Sequence, residues 1–192
     1  HTNGVVTGAT WAQLPSGLWV KDFNSATPDY VVVTCPQLNF TTEDFSGIFR
    51  IYIDNLVASR CILERGTITA DGYTFVVAAN GIIYLYTSQA AAEQHTISNV
   101  LSIGATTWYT LGWTRAGNSV RLYRDGVDVT FTPAVHVNPA TSARTAKIGV
   151  RDNLTTQPFD GKIGFQRIFN YALTPGEHRN WHNKISYLYG AV

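Results

Sequence analysis

The sequence predicts an all-β, antiparallel two-sheet sandwich closed by one C-terminal α-helix. Three observations carry that expectation. β-branched and aromatic runs of strand length recur along the chain, Asn-Gly and Asp-Gly turn signals separate several of them, and one well-capped amphipathic stretch lies near the end. A length of 192 residues suits one large sandwich better than two small domains, so a single domain over 1–192 is expected.

Tyr30-Val-Val-Val-Thr34 and Ile48-Phe-Arg-Ile-Tyr-Ile53 read as strands. Asn80-Gly81 between Tyr73–Ala79 and Ile82–Tyr86 predicts a tight hairpin, because both turn residues tolerate positive φ. Tyr109, Leu111 and Trp113 alternate with Thr110, Gly112 and Thr114, the period-two pattern of a strand with Trp113 facing the core. Ala116–Ser119 then turns the chain into Val120–Arg124, and Asp125-Gly126 turns it back into Val127–Phe131. Lys147–Val150 and Lys162–Phe169 supply two more strands. Thr174, Pro175 and Glu177 form a capping box with Pro at the first helical position, so a helix starts there. Trp181, Ile185 and Leu188 make a stripe expected to pack on the sheet or to serve as an oligomer contact. Thr87–Val100 and Thr132–Arg144 lack a strong period and are expected as surface loops, with Arg151-Asp152-Asn153 joining them at one rim.

Composition narrows the function classes. Charged residues are 14% of the chain and the net charge is +1, so no field exists to gather nucleic acid. The ten Arg and four Lys are scattered and read as a solvated face. No apolar run reaches membrane-helix length, so membrane insertion is not expected. No signal-peptide pattern is present and the chain opens at His1 without Met, which fits a mature product or a piece of something larger. Cys35 and Cys61 enclose 25 residues without metal-ligand spacing. A disulfide and two separate buried thiols both stay open.

Several motifs in order resemble a known family. Ala9-Thr-Trp-Ala-Gln-Leu-Pro-Ser-Gly-Leu-Trp19 with Asp22-Phe23 and Asp29-Tyr30-Val31 resembles the first strands of laminin-G-like jelly rolls, members of the concanavalin A-like superfamily. Cys61-Ile-Leu-Glu-Arg-Gly66, Trp108-Tyr-Thr-Leu-Gly-Trp113 and Val120-Arg-Leu-Tyr-Arg-Asp-Gly-Val127 resemble its middle strands. Phe159-Asp-Gly-Lys-Ile-Gly-Phe-Gln-Arg-Ile-Phe-Asn-Tyr-Ala-Leu173 resembles its closing strand and helix start. The likeness spans about residues 9–182. It implies a jelly roll that binds glycan or protein through loop-rim residues, in an extracellular, cell-surface or virion setting. It also implies a calcium site, for which Asp29 and Asp160 stand at motif positions. Gly164, however, occupies a place where family members usually carry an acidic residue, and calcium depends on several oxygen ligands. The residue-level alternative for both Asp is turn chemistry.

Candidate chemistry follows from residue types. Tyr84, Tyr86, Trp108 and Tyr123 could stack on sugar rings, with Arg151, Asp152 and Asn153 as polar partners. A glycosidase needs paired carboxylates, yet none of Glu43, Glu64, Glu93 and Glu177 has a carboxylate two residues away. Glu64 is expected to face solvent or a cation. His178 and His182 sit one turn apart but lack the Glu that marks a metalloprotease helix, and with His95 and His136 they read as structural. The primary expectation is a non-enzymatic recognition domain needing no cofactor. A structural or virion component, such as a phage surface or tail domain acting by self-association, is the second reading. A carbohydrate-active enzyme is the third.

Overall fold

Strand signals resolve into two stacked antiparallel sheets over residues 4–100 and 102–189, the portion that this computed structural model describes. The strands are β1 (Val5–Thr7), β2 (Thr10–Gln13), β3 (Trp19–Phe23), β4 (Tyr30–Val33), β5 (Phe45–Ile53), β6 (Arg60–Thr67), β7 (Asp71–Val77) and β8 (Ile83–Gln89). They continue as β9 (Ala92–Ser98), β10 (Trp108–Ala116), β11 (Ser119–Arg124), β12 (Val127–Asp128), β13 (Thr130–Thr132), β14 (Ala146–Ile148) and β15 (Gly161–Phe169), before helix α1 (Pro175–Ser186). Eight strands form one sheet in the order β1-β4-β14-β6-β7-β8-β9-β13. The other has seven, β12-β11-β10-β5-β15-β3-β2. The ends of the expected 1–192 domain lie outside the described residues.

Inward-facing residues of both sheets share one core. Its centre is aromatic: Trp113, fully buried, stacks on Phe49 at 5.8 Å and tilts against Phe75 at 4.7 Å, with Phe45 and Tyr73 around it. The Asp125-Gly126 turn forms as expected, while the Asn80-Gly81 hairpin turns over a longer segment, 78–82, in which only Gly81 takes positive φ. Gly81 has φ +75°, and Asp125 and Gly126 both adopt positive φ, +53° and +77°.

The helix begins as its sequence dictates. Thr174 Oγ1 accepts the Glu177 amide at 3.2 Å, and Glu177 accepts the Thr174 amide at 2.8 Å. Ile185 then joins Val20, Ile48, Phe169, Leu173 and Tyr189 in a second apolar cluster on the outer face of the seven-stranded sheet, with half-buried Trp181 against it. The Trp181–Ile185 part of the stripe is therefore used within the chain, and only Leu188, 39% exposed, remains at its end.

Three expectations need correction and one open alternative is decided. Thr87–Val100 is not a loop: β8 runs to Gln89 and β9 occupies Ala92–Ser98. The inward residues Thr96 and Ser98 are polar, so the apolar alternation that marks a strand is missing there. Val127–Phe131 is not one strand, because β12 pairs with β11 while β13 crosses to β9 of the other sheet. Cys35 and Cys61 are both free, the second fully buried. Finally, the arginines are not all solvated. Arg60, Arg65 and Arg115 are buried and clamp loop carbonyls: Arg60 binds Pro158 O, Arg65 binds Ser142 O, and Arg115 binds Glu43 O. A guanidinium with five fixed donors suits that task better than lysine.

Candidate functional site

Period-two geometry sorts the residues of β8. Ile83 and Leu85 enter the core, so Tyr84 and Tyr86 project from the outer face of the eight-stranded sheet. Cross-strand register extends that face into one row. Val32 lies opposite Lys147, Lys147 opposite Glu64, Glu64 opposite Thr74, Thr74 opposite Tyr86, and Tyr86 opposite His95. The Tyr84 and Tyr86 rings stack nearly parallel, centroids 5.7 Å apart at 9°, and the exposed His95 ring packs 5.1 Å from Tyr86. Burial, with Tyr84 and Glu93 nearby, pushes the Tyr86 phenol up to about 12, so it stays a neutral donor at neutral pH.

The loop after β14 covers the middle of this row. Glu64, 1% exposed, accepts Arg151 Nε at 2.6 Å, the Thr74 hydroxyl at 3.1 Å and the Asp152 backbone N–H. Burial raises its carboxyl above the usual range, while Arg151 and these hydrogen bonds pull the other way. Asp152 in turn meets Lys147 Nζ at 2.5 Å and the guanidinium of Arg144. Asn153 closes an Asx turn, its Oδ1 accepting the Thr155 amide at 3.2 Å and the Thr156 amide at 2.9 Å. Glu64, Thr67, Arg144, Arg151, Asp152, Asn153 and Thr156 line a polar cleft of about 300 Å3. Thr67 Oγ1 is buried there without a hydrogen-bond partner among the described residues.

The structure thus brings Tyr84, Tyr86, Arg151, Asp152 and Asn153 to one sheet face. It separates the other two aromatic candidates. Tyr123, only 3% exposed, stacks on His178 at 3.8 Å and has no surface to offer a ligand. Trp108 is half-buried on the other sheet, 4.7 Å from Tyr189 and 5.6 Å from Tyr52. Sequence reading missed Glu64, Arg144, Lys147 and His95 as members of the site. Glu64 does meet a cation, as one of its two expectations had it, but it is not solvent-facing. Only cross-strand register assembles these four, and no local motif announces it.

His136, His178 and His182 are each held by threonine hydroxyls. His136 is buried between Thr87 Oγ1 at 2.8 Å and Thr96 Oγ1 at 2.7 Å. His178 lies 2.8 Å from Thr114 Oγ1, and burial lowers both imidazoles to about 4. His182 contacts Thr110 instead of sharing a site with His178. Among the described residues, no three of His, Cys, Asp or Glu group to hold a metal ion. Asp29 and Asp160 do share a polar cleft of about 510 Å3 with Asp22 and Asp54. Asp29 accepts the Asn24 amide at 2.8 Å, and Asp160 accepts the Ser25 amide at 3.3 Å and lies 3.5 Å from Arg60. Lys162 stands 3.4 Å from Asp22 and 3.6 Å from Asp54. Asp22, Asp54 and Asp160 already face cations, and Asp29 and Asp160 accept turn amides, an arrangement that does not fit a calcium cage. Gly164 explains the missing acid: an added Cβ would lie 2.1 Å from the Tyr189 ring.

A sequence profile of the laminin-G-like branch of the concanavalin A-like lectins and glucanases matches residues 25–177. The chain belongs to the concanavalin A-like lectin/glucanase superfamily. Several solved structures share the fold of this superfamily member at low identity. The binding domain of Paraclostridial Mosquitocidal Protein 1 superposes with TM-score 0.74 at 15% identity, covering 95% of this chain and 47% of that one. The botulinum neurotoxin serotype G binding domain gives 0.74 at 13%, covering 97% and 47%. A botulinum neurotoxin type C structure, described with cell entry dependent on interaction with two ganglioside molecules, gives 0.69 at 14%, covering 96% and 47%. The chain therefore spans about half the length of these solved domains. No curated protein sequence matches it.

Proposed function

We propose that this domain is a non-enzymatic recognition module that binds glycan on the outer face of its eight-stranded sheet, in an extracellular, cell-surface or virion setting. The observation that carries the reading is the parallel Tyr84–Tyr86 pair beside a cleft rich in fixed donors and acceptors. Stacked rings offer a flat apolar surface to the C–H face of a pyranose, while Arg144, Asn153 and Thr156 can bond its hydroxyls. Glu64 supports binding over hydrolysis, since its carboxylate is committed to Arg151, Thr74 and the Asp152 amide and so anchors the loop. No cofactor enters the reading. The description of the botulinum type C relative in terms of gangliosides is consistent with it, but that domain is twice as long and its ganglioside contacts are its own. Glycan-array screening alongside a light-scattering mass tests the proposal. Affinity for one glycan class from a monomer is expected; an empty array with a stable oligomer would favour a structural component.

A further inference from the structure

The seven-stranded sheet contains a gap that its strand order conceals. β15 is third from the edge, yet it pairs with β3 only over Gly161–Ile163, while its pairing with β5 resumes over Gln166–Phe169 after a bulge. Tyr189 plugs the start of the gap: its ring lies against Gly164 and its hydroxyl accepts the Phe165 N–H. Beyond that plug, Gln166–Phe169 has a strand on one side alone among the described residues. Alternate residues of an antiparallel strand turn N–H and C=O to opposite sides, so half of these groups face the gap. Burial agrees. Gln166 and Arg167 are exposed and Ile168 is half-buried, although the strand is interior.

Two clefts flank this open edge and share Gln166. One, of about 370 Å3, includes Leu18, Trp19 and Val31; the other, of about 340 Å3, runs between the sheets past Val33, Leu38 and Ile168. At the Ile163 end stands Lys21, whose ammonium sits 4.1 Å from the centre of the Trp11 ring. Its Nζ donates to Ala9 O at 3.4 Å, and among the described residues no carboxylate lies within ion-pair distance of it, Asp22 being paired with Lys162.

We propose that this slot is a strand-addition site for an extended peptide of a partner protein, running antiparallel to Gln166–Phe169, with apolar residues at alternate positions and a carboxylate at its C-terminal end. Four residues at about 3.3 Å each span the free edge. Their backbone pairs with β15, their alternate side chains enter the inter-sheet cleft, and antiparallel direction brings the C-terminal carboxylate toward Lys21. An acyl chain would fill the apolar space but leave the strand groups without partners, so a peptide matches more of the slot. The slot lies on the opposite sheet from the glycan-binding face and does not depend on that reading.

The probe is acetyl-Val-Thr-Val-Thr-Val-Asp, titrated into the full chain and followed by amide NMR. Binding should shift the amide resonances of residues 166–169 and slow their hydrogen exchange at least tenfold. The same peptide N-methylated at alternate residues, and laurate, should do neither. Val33→Trp, which fills the inter-sheet cleft, should abolish the shifts while leaving the rest of the spectrum folded. No perturbation at millimolar peptide, equal binding by the N-methylated peptide, or a response to laurate alone would overturn the proposal. So would shifts confined to the Tyr84–Tyr86 face, or a doubled mass showing a second copy in the slot.

Discussion

Acidification from pH 7 to pH 5 should destabilise this domain strongly, because two imidazoles are buried in neutral form. His136 and His178 are 3% and 2% exposed, and burial holds each near 4 against an ordinary 6.5. Their folded values are depressed, so between 6.5 and 4 the unfolded chain binds more protons than the folded one. The stability they contribute is complete above about 6.5 and declines as pH falls toward 4. At pH 5 each costs roughly 2 kcal/mol by that linkage, about 4 kcal/mol together. For a domain of this size, 1 kcal/mol moves Tm by about 2–4 °C, so a fall of about 8–16 °C is expected. His182, also lowered by burial, acts in the same direction. Scanning calorimetry at both pH values measures the fall. A His136→Gln/His178→Gln double variant should show less than half of it. A Tm level between pH 7 and 5, or an undiminished drop in the double variant, would refute the assignment of these histidines as neutral locks.

Two further perturbations test separate parts of the account. Gly164→Asp, which restores the acid usual in the family, should lower stability by about 1–3 kcal/mol, because the new Cβ meets the Tyr189 ring and core overpacking costs that much; an unchanged urea midpoint would show that Tyr189 moves aside freely. Chelation by EDTA should leave Tm unmoved, since Asp29 and Asp160 serve turns and Arg60; a fall of several degrees would reveal a bound ion that stabilises the fold by mass action.

The fold was legible because local signals and global topology agree. Asp125-Gly126 forms the turn its φ tolerance predicts, Gly81 takes positive φ in a hairpin longer than expected, and the Thr174–Glu177 box starts the helix. Alternation in Tyr109–Trp113 placed Trp113 in the core. Where the alternation is polar, the strand was missed, as at β9, whose inward Thr96 bonds His136 instead of packing in oil. The candidate site was half legible. Period two puts Tyr84 and Tyr86 on one face, but it cannot say that Lys147, Glu64 and His95 lie beside them, since that depends on the register of strands far apart in sequence. Tyr123 failed as a candidate for a related reason: the helix that stacks His178 over it comes fifty-odd residues later.

A binding titration of the best array glycan against Tyr84→Ala/Tyr86→Ala is the sharpest check that ligand sits on the stacked tyrosines. Removing both rings should weaken binding by at least about tenfold, the equivalent of 1.4 kcal/mol, in a chain that still folds cooperatively at a lower Tm, since both rings also pack on the sheet. Affinity equal to that of the parent chain would move recognition elsewhere on the molecule.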